Sequence, residues 1–215
     1  MRRFDAIVFD MDGVLLDSEP LHFAALNRAL GRDGLRVNRD EYERFIGTTT
    51  EAMLESLIER YRLQRAHAEY LAEYDAAVLD QLDQARPPND GVVPLMQRAR
   101  ELGMRVGLAS SSRRVWIDAT LRSLSLSDAF DAIVSGDEVT RGKPDPQIYL
   151  LAAQRLSVAS ERCLAIEDAP NGVAAARAAG MAVIGVRTPF TAHLHLDGVL
   201  QTVDSLTELD PRAIL

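Results

Sequence analysis

The chain has 215 residues, of which 47% are hydrophobic and 26% are charged, and its formal net charge at pH 7 is −8. This composition is typical of a globular protein with its own core, and the negative charge disfavours nucleic acids and anionic membranes as partners. The apolar runs are shorter than a membrane span and the first residues, MRRFDAIVFDMD, are acidic, so we expect neither a membrane segment nor a signal peptide.

The sequence contains one cysteine, Cys163, which excludes an internal disulfide and a cysteine metal cluster. A single unpaired thiol is typical of proteins from reducing compartments. We therefore expect a cytoplasmic protein. We also expect a monomer or a weak homo-oligomer.

The segment DAIVFD, residues 5–10, predicts a short strand that is buried on both faces, because four apolar residues follow one another. Asp10 comes at the end of this strand, Asp12 follows two residues later, and Gly13 would allow a sharp turn. Carboxylates in such a place are costly unless something binds them. This segment therefore indicates a functional site.

Residues 17–86 predict helices and no strand. Two segments carry apolar residues at helical spacing, namely Leu54, Leu57, Ile58 and Tyr61, and then Leu71, Tyr74, Val78 and Leu82. Thr48 and Glu51 have the spacing of a capping box at the start of the first segment. The proline-rich ARPPND, residues 85–90, predicts a stiff linker. We therefore predict a helical cap domain over residues 17–86, inserted into a core of residues 1–16 and 87–215.

The rest of the chain predicts an α/β fold. The apolar segments RVGLASS, AIVSGD, CLAIED and MAVIGV alternate with the helix-like segments VVPLMQRARELG, RRVWIDATLRSL, PQIYLLAAQRL and NGVAAARAAG. Glycines at 103 and 180 follow helical segments, where a left-handed residue commonly ends a helix. Strands that alternate with helices in this way form parallel sheets covered on both faces, so we predict a Rossmann-like core.

Polar residues follow several predicted strands, and in a parallel sheet ligands bind outside the carboxyl ends of the strands. After the first strand and its acidic pair, these residues are Ser110, Ser111, Ser112, Glu167 and Asp168, and Lys143 lies in GKPDP before a helix. Lys143 is the only lysine among 24 basic residues. A group of carboxylates without thiols suits a hard cation such as Mg²⁺.

This set of residues is suited to phosphoryl transfer. A carboxylate needs no activating base at pH 7, so Asp10 could attack phosphorus and form an aspartyl-phosphate. Asp12 could protonate the departing alcohol and later deprotonate water. Ser110 and Lys143 could hold phosphate oxygens, with Ser111 as a second hydroxyl, because lysine is a compact point charge that fits a tight site.

Four motifs in order, DMDGVLLDSEPLH, LASSSRR, GKPDPQIYLLA and IEDAPNGVAAARAAGM, resemble the haloacid dehalogenase superfamily. The chain is most similar to the β-phosphoglucomutase-like branch, which carries a helical cap after the first motif. This resemblance implies a Rossmann-like core and dependence on Mg²⁺. It assigns the nucleophile to Asp10, acid/base catalysis to Asp12, phosphate binding to Ser110 and Lys143, and the metal to the Asp10 side chain, the Asp12 carbonyl and Asp168, with Glu167 as a direct or water-mediated ligand.

The residues separate some reactions of the superfamily. Its dehalogenases have no acid/base aspartate at the position of Asp12, and its phosphonate hydrolases use a cap lysine that residues 17–86 lack. Its mutases carry an arginine three residues after the glycine matched by Gly47, where this chain has Thr50. A neutral side chain cannot grip a second phosphate as an arginine does.

We therefore predict a Mg²⁺-dependent phosphatase that acts on a small phosphorylated metabolite of the sugar or polyol phosphate class. Two alternatives are a hexose-phosphate mutase of the β-phosphoglucomutase type and a catalytically silent protein that binds phosphorylated metabolites. Further candidates for substrate contacts are Glu19, His22, Gly47, Thr50 and Asn171.

Overall fold

The computed structural model describes residues 3–45, 49–84 and 86–209. Contacts between Cα atoms divide the chain into two compact units, Met1–Asp17 with Ala85–Leu215, and Ser18–Gln84. We call these the core unit and the helical unit. The domain limits expected from the sequence, at residues 16/17 and 86/87, stay a prediction.

The core unit contains a parallel sheet of six strands. In chain order they are β1 (Ala6–Phe9), β2 (Arg105–Ala109), β3 (Ala132–Val134), β4 (Cys163–Glu167), β5 (Ala182–Val186) and β6 (Gln201–Val203). Their order across the sheet is β3-β2-β1-β4-β5-β6, and every neighbouring pair is parallel. This order confirms the α/β, Rossmann-like architecture expected from the sequence. The edge strand β6 was not predicted, because its three residues carry no apolar run.

The apolar run of β1 reflects its central position between β2 and β4. All four residues of the strand are fully buried, and Ala6 and Val8 belong to a core cluster on one face. The alternation of a strand directs Ile7 and Phe9 to the other face. A strand covered on both faces needs apolar residues at every position, which is the pattern read from the sequence.

Four helices of the core unit connect these strands: α5 (Val92–Glu101), α6 (Arg114–Ser123), α7 (Gln147–Leu156) and α8 (Pro170–Ala178). Helix α7 packs on β1, β2 and β3, and α8 packs on β4 and β5. Ile148 and Tyr149 of α7 and Val173 of α8 share the core cluster that contains Ala6 and Val8. These helices therefore cover the sheet and carry their N-terminal turns to its carboxyl edge.

The helical unit contains α1 (Glu19–Leu30), α2 (Arg39–Tyr42), α3 (Thr50–Tyr61) and α4 (His67–Leu82). Helix α4 packs against both α1 and α3. Leu54 and Leu57 are fully buried as the helical spacing predicts, whereas Tyr61 is 36% exposed. In α4 the predicted residues Tyr74, Val78 and Leu82 are buried, whereas Leu71 is only partly buried and its neighbour Tyr70 is fully buried instead.

The start of α3 differs from the expected capping box. The N-cap residue is Thr49, whose hydroxyl accepts a hydrogen bond from the Ala52 amide at 3.2 Å. Thr48 lies outside the described residues. Both threonines are good N-cap residues, and sequence spacing alone could not choose between neighbours in a run of three.

Within the described ranges, no helix combines the length and the apolar character that a membrane crossing requires.

Candidate active site

The carboxyl ends of β1 and β4 bring three acidic residues together. Asp10 directly follows β1, and its amide continues the strand pairing by donating to the Ile166 carbonyl at 2.9 Å. Glu167 ends β4 and Asp168 follows it. One carboxylate oxygen from each of the three residues lies within 4.8 Å of the others. In the strand order, β1 is followed along the chain by its neighbour β2 on one side, and β4 is followed by β5 on the other side. Doubly wound folds bind ligands at the point where the order reverses in this way.

The turn after β1 depends on Gly13. Its φ of +78° lies in the left-handed region, and a Cβ atom there would fall 2.1 Å from Oδ2 of Asp168. Asn89 holds this turn, because its side-chain amide donates to the carbonyls of Gly13 and Val14, both at 3.0 Å. Asn89 lies in the segment read from the sequence only as a proline-rich linker, so its role was missed.

Lys143 lies in a short loop that is held by hydrogen bonds between residues on either side of it. The side-chain oxygen of Gln147 accepts hydrogen bonds from the amides of Thr140 and Arg141, at 3.0 and 3.1 Å. At the other side of the loop, the Asp145 carboxylate accepts from the Gln147 amide at 3.0 Å. The position of Lys143 is therefore set by the first turn of α7.

The Lys143 ammonium donates to three oxygens in its surroundings. Its Nζ lies 2.6 Å from Asp10 Oδ1, 2.7 Å from Glu167 Oε1 and 3.2 Å from the Ala109 carbonyl. Burial opposes the charge, but the attraction of Asp10 and Glu167 outweighs it and raises the pKa of Lys143. Lys143 is thus a charged donor at neutral pH, and the longest of its three contacts is the one to the backbone.

Glu167 is 1% exposed and both of its carboxylate oxygens accept hydrogen bonds. Oε1 accepts from Lys143 and from the Tyr149 hydroxyl, the latter at 2.6 Å. Oε2 accepts from the amides of Asp168 and Ala169, at 3.1 and 3.3 Å. A Cβ atom at Gly172 would fall 1.8 Å from Oε1, so the glycine makes room for this carboxylate against α8.

The other two carboxylates of the cluster, those of Asp10 and Asp168, have raised pKa values. Burial, together with the negative charges of Glu167 and Asp12, outweighs the attraction of Lys143 and raises the pKa of Asp10 to about 8. Burial and the neighbouring Glu167 and Asp10 also raise the pKa of Asp168 well above its ordinary value. A bound cation would favour the charged forms of both groups. The chemistry of these donors therefore fits a divalent metal.

The serine loop after β2 reaches Asp12. Ser110 is fully buried and its hydroxyl oxygen accepts from the Ser112 amide at 3.1 Å, whereas Ser111 is exposed. The Ser112 hydroxyl donates to Asp12 Oδ2 at 2.7 Å. A Cβ atom at Gly136 would fall 2.2 Å from the Ser111 carbonyl, so the loop after β3 packs tightly on this one. The contact of Ser112 with Asp12 was not anticipated from the sequence.

The remaining candidates are described within their own units. In the helical unit, the Tyr42 hydroxyl donates to Glu19 at 2.6 Å, and His22 Nδ1 lies 2.8 Å from the Tyr74 hydroxyl. Thr50 is the partly buried first residue of α3, and Gly47 lies outside the described residues. In the core unit, Asn171 is exposed in the first turn of α8. A role of any of these residues in substrate binding stays a prediction.

Comparison with known proteins gives a family. The model of the haloacid dehalogenase-like hydrolases matches residues 4–180. Hexitol phosphatase B of Escherichia coli is 33% identical over 218 residues, which span 100% of this chain and 98% of that protein. The β-phosphoglucomutase of Bacillus subtilis is 35% identical over 188 residues, which span 84% of this chain and 82% of that protein.

The fold is also shared with solved structures. CbbY from Rhodobacter sphaeroides, crystallised in complex with phosphate, is 29% identical and superposes with a TM-score of 0.85. The superposition covers 96% of each chain. The similarity therefore extends over nearly the whole length of the protein.

Proposed function

The chain belongs to the haloacid dehalogenase-like hydrolase family, and on that premise we propose that it is a Mg²⁺-dependent phosphatase of sugar or polyol phosphates. The observation that carries the proposal is the contact of Asp10 with Lys143 at 2.6 Å, beside Asp168 and two residues before Asp12. This arrangement combines a nucleophile, a cation and an acid/base group at one edge of the sheet. The match to hexitol phosphatase B over both full lengths supports the substrate class.

In the proposed reaction Asp10 is the nucleophile. Lys143 holds one oxygen of its carboxylate, and the other oxygen attacks phosphorus to form an aspartyl-phosphate. The bond between phosphorus and the ester oxygen breaks, and Asp12 gives a proton to the leaving alkoxide. Asp12 then takes a proton from water, which attacks the aspartyl-phosphate, releases inorganic phosphate and restores Asp10.

Lys143 and the serine loop would hold the oxygens of the phosphoryl group. Lys143 can exchange its long contact with the Ala109 carbonyl for a phosphate oxygen and still keep Asp10 and Glu167. The buried hydroxyl of Ser110 lies at the end of β2, next to β1 in the sheet. An exposed Ser111 is the weaker candidate for this role.

The proposed metal ligands are the carboxylates of Asp10 and Asp168 and the carbonyl of Asp12. Mg²⁺ binds few carboxylates together with water and phosphate oxygens, and when bound it neutralises charge on the transferring phosphoryl group. Glu167 belongs to the same acidic cluster, but its oxygens already accept from Lys143, Tyr149 and two amides. We therefore propose that Glu167 acts on the metal through water at most.

The test is release of inorganic phosphate from a panel of hexitol phosphates and of hexose 1- and 6-phosphates. We expect turnover with Mg²⁺, none in excess chelator, and little with Ca²⁺, whose larger coordination shell would disturb the carboxylates. Asp10→Asn is the matched control for contaminating phosphatases.

The relative named β-phosphoglucomutase makes a mutase the second candidate. Thr50 stands where the mutases carry an arginine, so we expect little interconversion of hexose 1- and 6-phosphates. Efficient conversion without release of phosphate would show a mutase. If the wild-type protein bound these compounds but did not turn them over, it would be a catalytically silent binding protein.

A cytoplasmic location, a monomeric or weakly self-associating state, and the absence of nucleic-acid and membrane partners stay predictions from composition and charge.

A further inference from the structure

Tyr149 has a buried hydroxyl group that packing does not explain. It is the third residue of α7, is fully buried, and lies in the apolar cluster with Ile148, Ala152 and Ala153. A phenylalanine would fill the same place with the same ring. The hydroxyl instead donates to Glu167 Oε1 at 2.6 Å. This contact lies in the interior of the core unit, next to the charges of the active site.

The oxygen that Tyr149 contacts is the one that Lys143 contacts. Glu167 Oε1 lies 2.6 Å from the Tyr149 hydroxyl and 2.7 Å from the Lys143 ammonium. The other oxygen, Oε2, is held by two backbone amides, so the carboxylate cannot rotate without losing partners. The ammonium also lies 5.1 Å from the centre of the Tyr149 ring. The ring of Tyr149 therefore lies beside Lys143, and its hydroxyl contacts the same Glu167 oxygen as Lys143 does.

We infer that the Tyr149 hydroxyl is a positioning group for Lys143, and that it acts through Glu167. The functional consequence rests on the proposed role of Lys143 as a phosphate ligand. The Tyr149 hydroxyl satisfies part of the negative charge on Oε1, which leaves Lys143 shared between Glu167 and Asp10. Without it, Oε1 has only Lys143 as a partner and draws the ammonium away from Asp10 and from the phosphate.

The first experiment compares Tyr149→Phe with Tyr70→Phe. Tyr70 is the matched control, because it is also fully buried in a helix but lies in the helical unit, where Arg65 lies over its ring. We expect Tyr149→Phe to lower kcat/KM by about tenfold to a hundredfold and to weaken inhibition by inorganic phosphate, as loss of an outer partner of a site residue does. Tyr70→Phe should leave both quantities unchanged.

The second experiment uses the fact that Lys143 is the only lysine in the sequence. Protein labelled with ¹³C-lysine gives one set of side-chain NMR signals, which reports the surroundings of Lys143 without any assay of activity. We expect the ε-carbon signal to shift in Tyr149→Phe and to stay in place in Tyr70→Phe. If Tyr149→Phe does not fold, it is combined with Glu167→Gln. Because the inferred role acts through the Glu167 carboxylate, the double variant should give the lysine signal of Glu167→Gln alone, and a further shift would overturn the inference.

The outcomes separate the inference from the proposed function. A shifted lysine signal together with weaker phosphate binding supports both. A shifted signal in a protein that neither binds nor hydrolyses phosphate esters keeps the positioning role and overturns the phosphatase. An unshifted signal in Tyr149→Phe, with a lower melting temperature as the only effect, would show that the hydroxyl is purely structural and overturn the inference.

Discussion

The ion pairs of the described residues range widely in exposure, and two sets show the extremes. In the core unit, Lys143, Asp10 and Glu167 form a lysine cluster whose side chains are 9%, 9% and 1% exposed. In the helical unit, Arg28 pairs with Asp80 at 2.5 Å, and these side chains are 61% and 66% exposed. Burying charge costs free energy that the partners only partly return, whereas an exposed pair contributes about 0–1 kcal/mol. The costly arrangement occurs where the proposed chemistry takes place.

The residue types follow the same division. Every basic residue of the chain except Lys143 is arginine. An arginine has a broad planar fork that suits exposed carboxylates, and a lysine presents a compact charge that can contact several oxygens in a small space. The difference predicts that substitutions in the lysine cluster change activity far more than equivalent substitutions among the exposed pairs.

The largest effect is expected for Asp10→Asn. The amide has almost the same shape, but it is a poor nucleophile and a weaker metal ligand, so we expect kcat to fall by about 10⁴-fold or more. The measurements are phosphate release and the amount of acid-stable phosphoprotein, with circular dichroism to verify the fold. Activity within tenfold of wild type would rule out the covalent route.

Asp12→Asn should have the next largest effect. Loss of the acid/base group is expected to lower kcat by about 10²- to 10⁴-fold, while the metal requirement stays similar because the proposed metal contact is the backbone carbonyl. The decrease should be smaller for aryl phosphates, whose leaving groups need less protonation. Equal decreases for aryl and alkyl phosphates would contradict a role as the acid in the first step.

Lys143→Arg tests whether the cluster needs a compact charge or only a positive one. The guanidinium is too broad for a position that is 9% exposed and in contact with Asp10 and Glu167, so we expect kcat/KM to fall by about 10²-fold. Arg28→Lys is the matched control among the exposed pairs and should leave activity unchanged. If both variants were fully active, the contrast between the two sets of pairs would have no functional meaning.

The smallest effect is expected for Glu138→Gln, and it concerns stability only. Glu138 accepts a hydrogen bond from Arg155 at 2.5 Å, and this bond lowers the pKa of Glu138 to about 2 from an ordinary 4.5. Partial burial opposes this decrease, and the hydrogen bond from the Ser135 amide adds to it. Because the folded-state pKa is depressed, the stabilisation is complete above pH 4.5 and is lost as the pH falls towards 2. After allowance for solvent screening it amounts to about 1 kcal/mol.

Chemical denaturation of wild type and Glu138→Gln at several pH values measures this contribution. The variant should be less stable at pH 7, and the difference should shrink below pH 4.5 and at high salt. A difference that is independent of pH would assign the effect to packing rather than to charge.

Much of the core unit could be predicted from short-range patterns. Five of the six strands follow from apolar runs, and the residues at or directly after their carboxyl ends include Asp10, Ser110 and Glu167. Parallel strands place their carboxyl ends at one edge, so a reader of the sequence could expect these residues to meet. The pattern was weaker in α4, where Tyr70 and not Leu71 is fully buried, because helical spacing does not distinguish adjacent positions at the border of a buried face.

The contacts between loops could not be predicted. Two such contacts join segments that are far apart in the chain: the hydrogen bond from Ser112 to Asp12 and that from Asn89 to the turn at Gly13. Serine and asparagine are common turn and cap residues, so the local sequence does not indicate these contacts. Tyr149 lies in a segment that the sequence predicts only as a helix, and that prediction does not indicate the contact of its hydroxyl with Glu167.

The sequence by itself determined the α/β fold, the family and the residue types available for chemistry, because these depend on periodicity and on motifs of a few residues. Only the tertiary structure decided which hydrogen-bond donor contacts which acceptor among those residues. Lys143 and Asp10 are 133 positions apart, and which oxygen each donor contacts depends on the packing of α7 and α8 against the sheet. Hydrogen bonds require distances and angles that no spacing along the chain specifies.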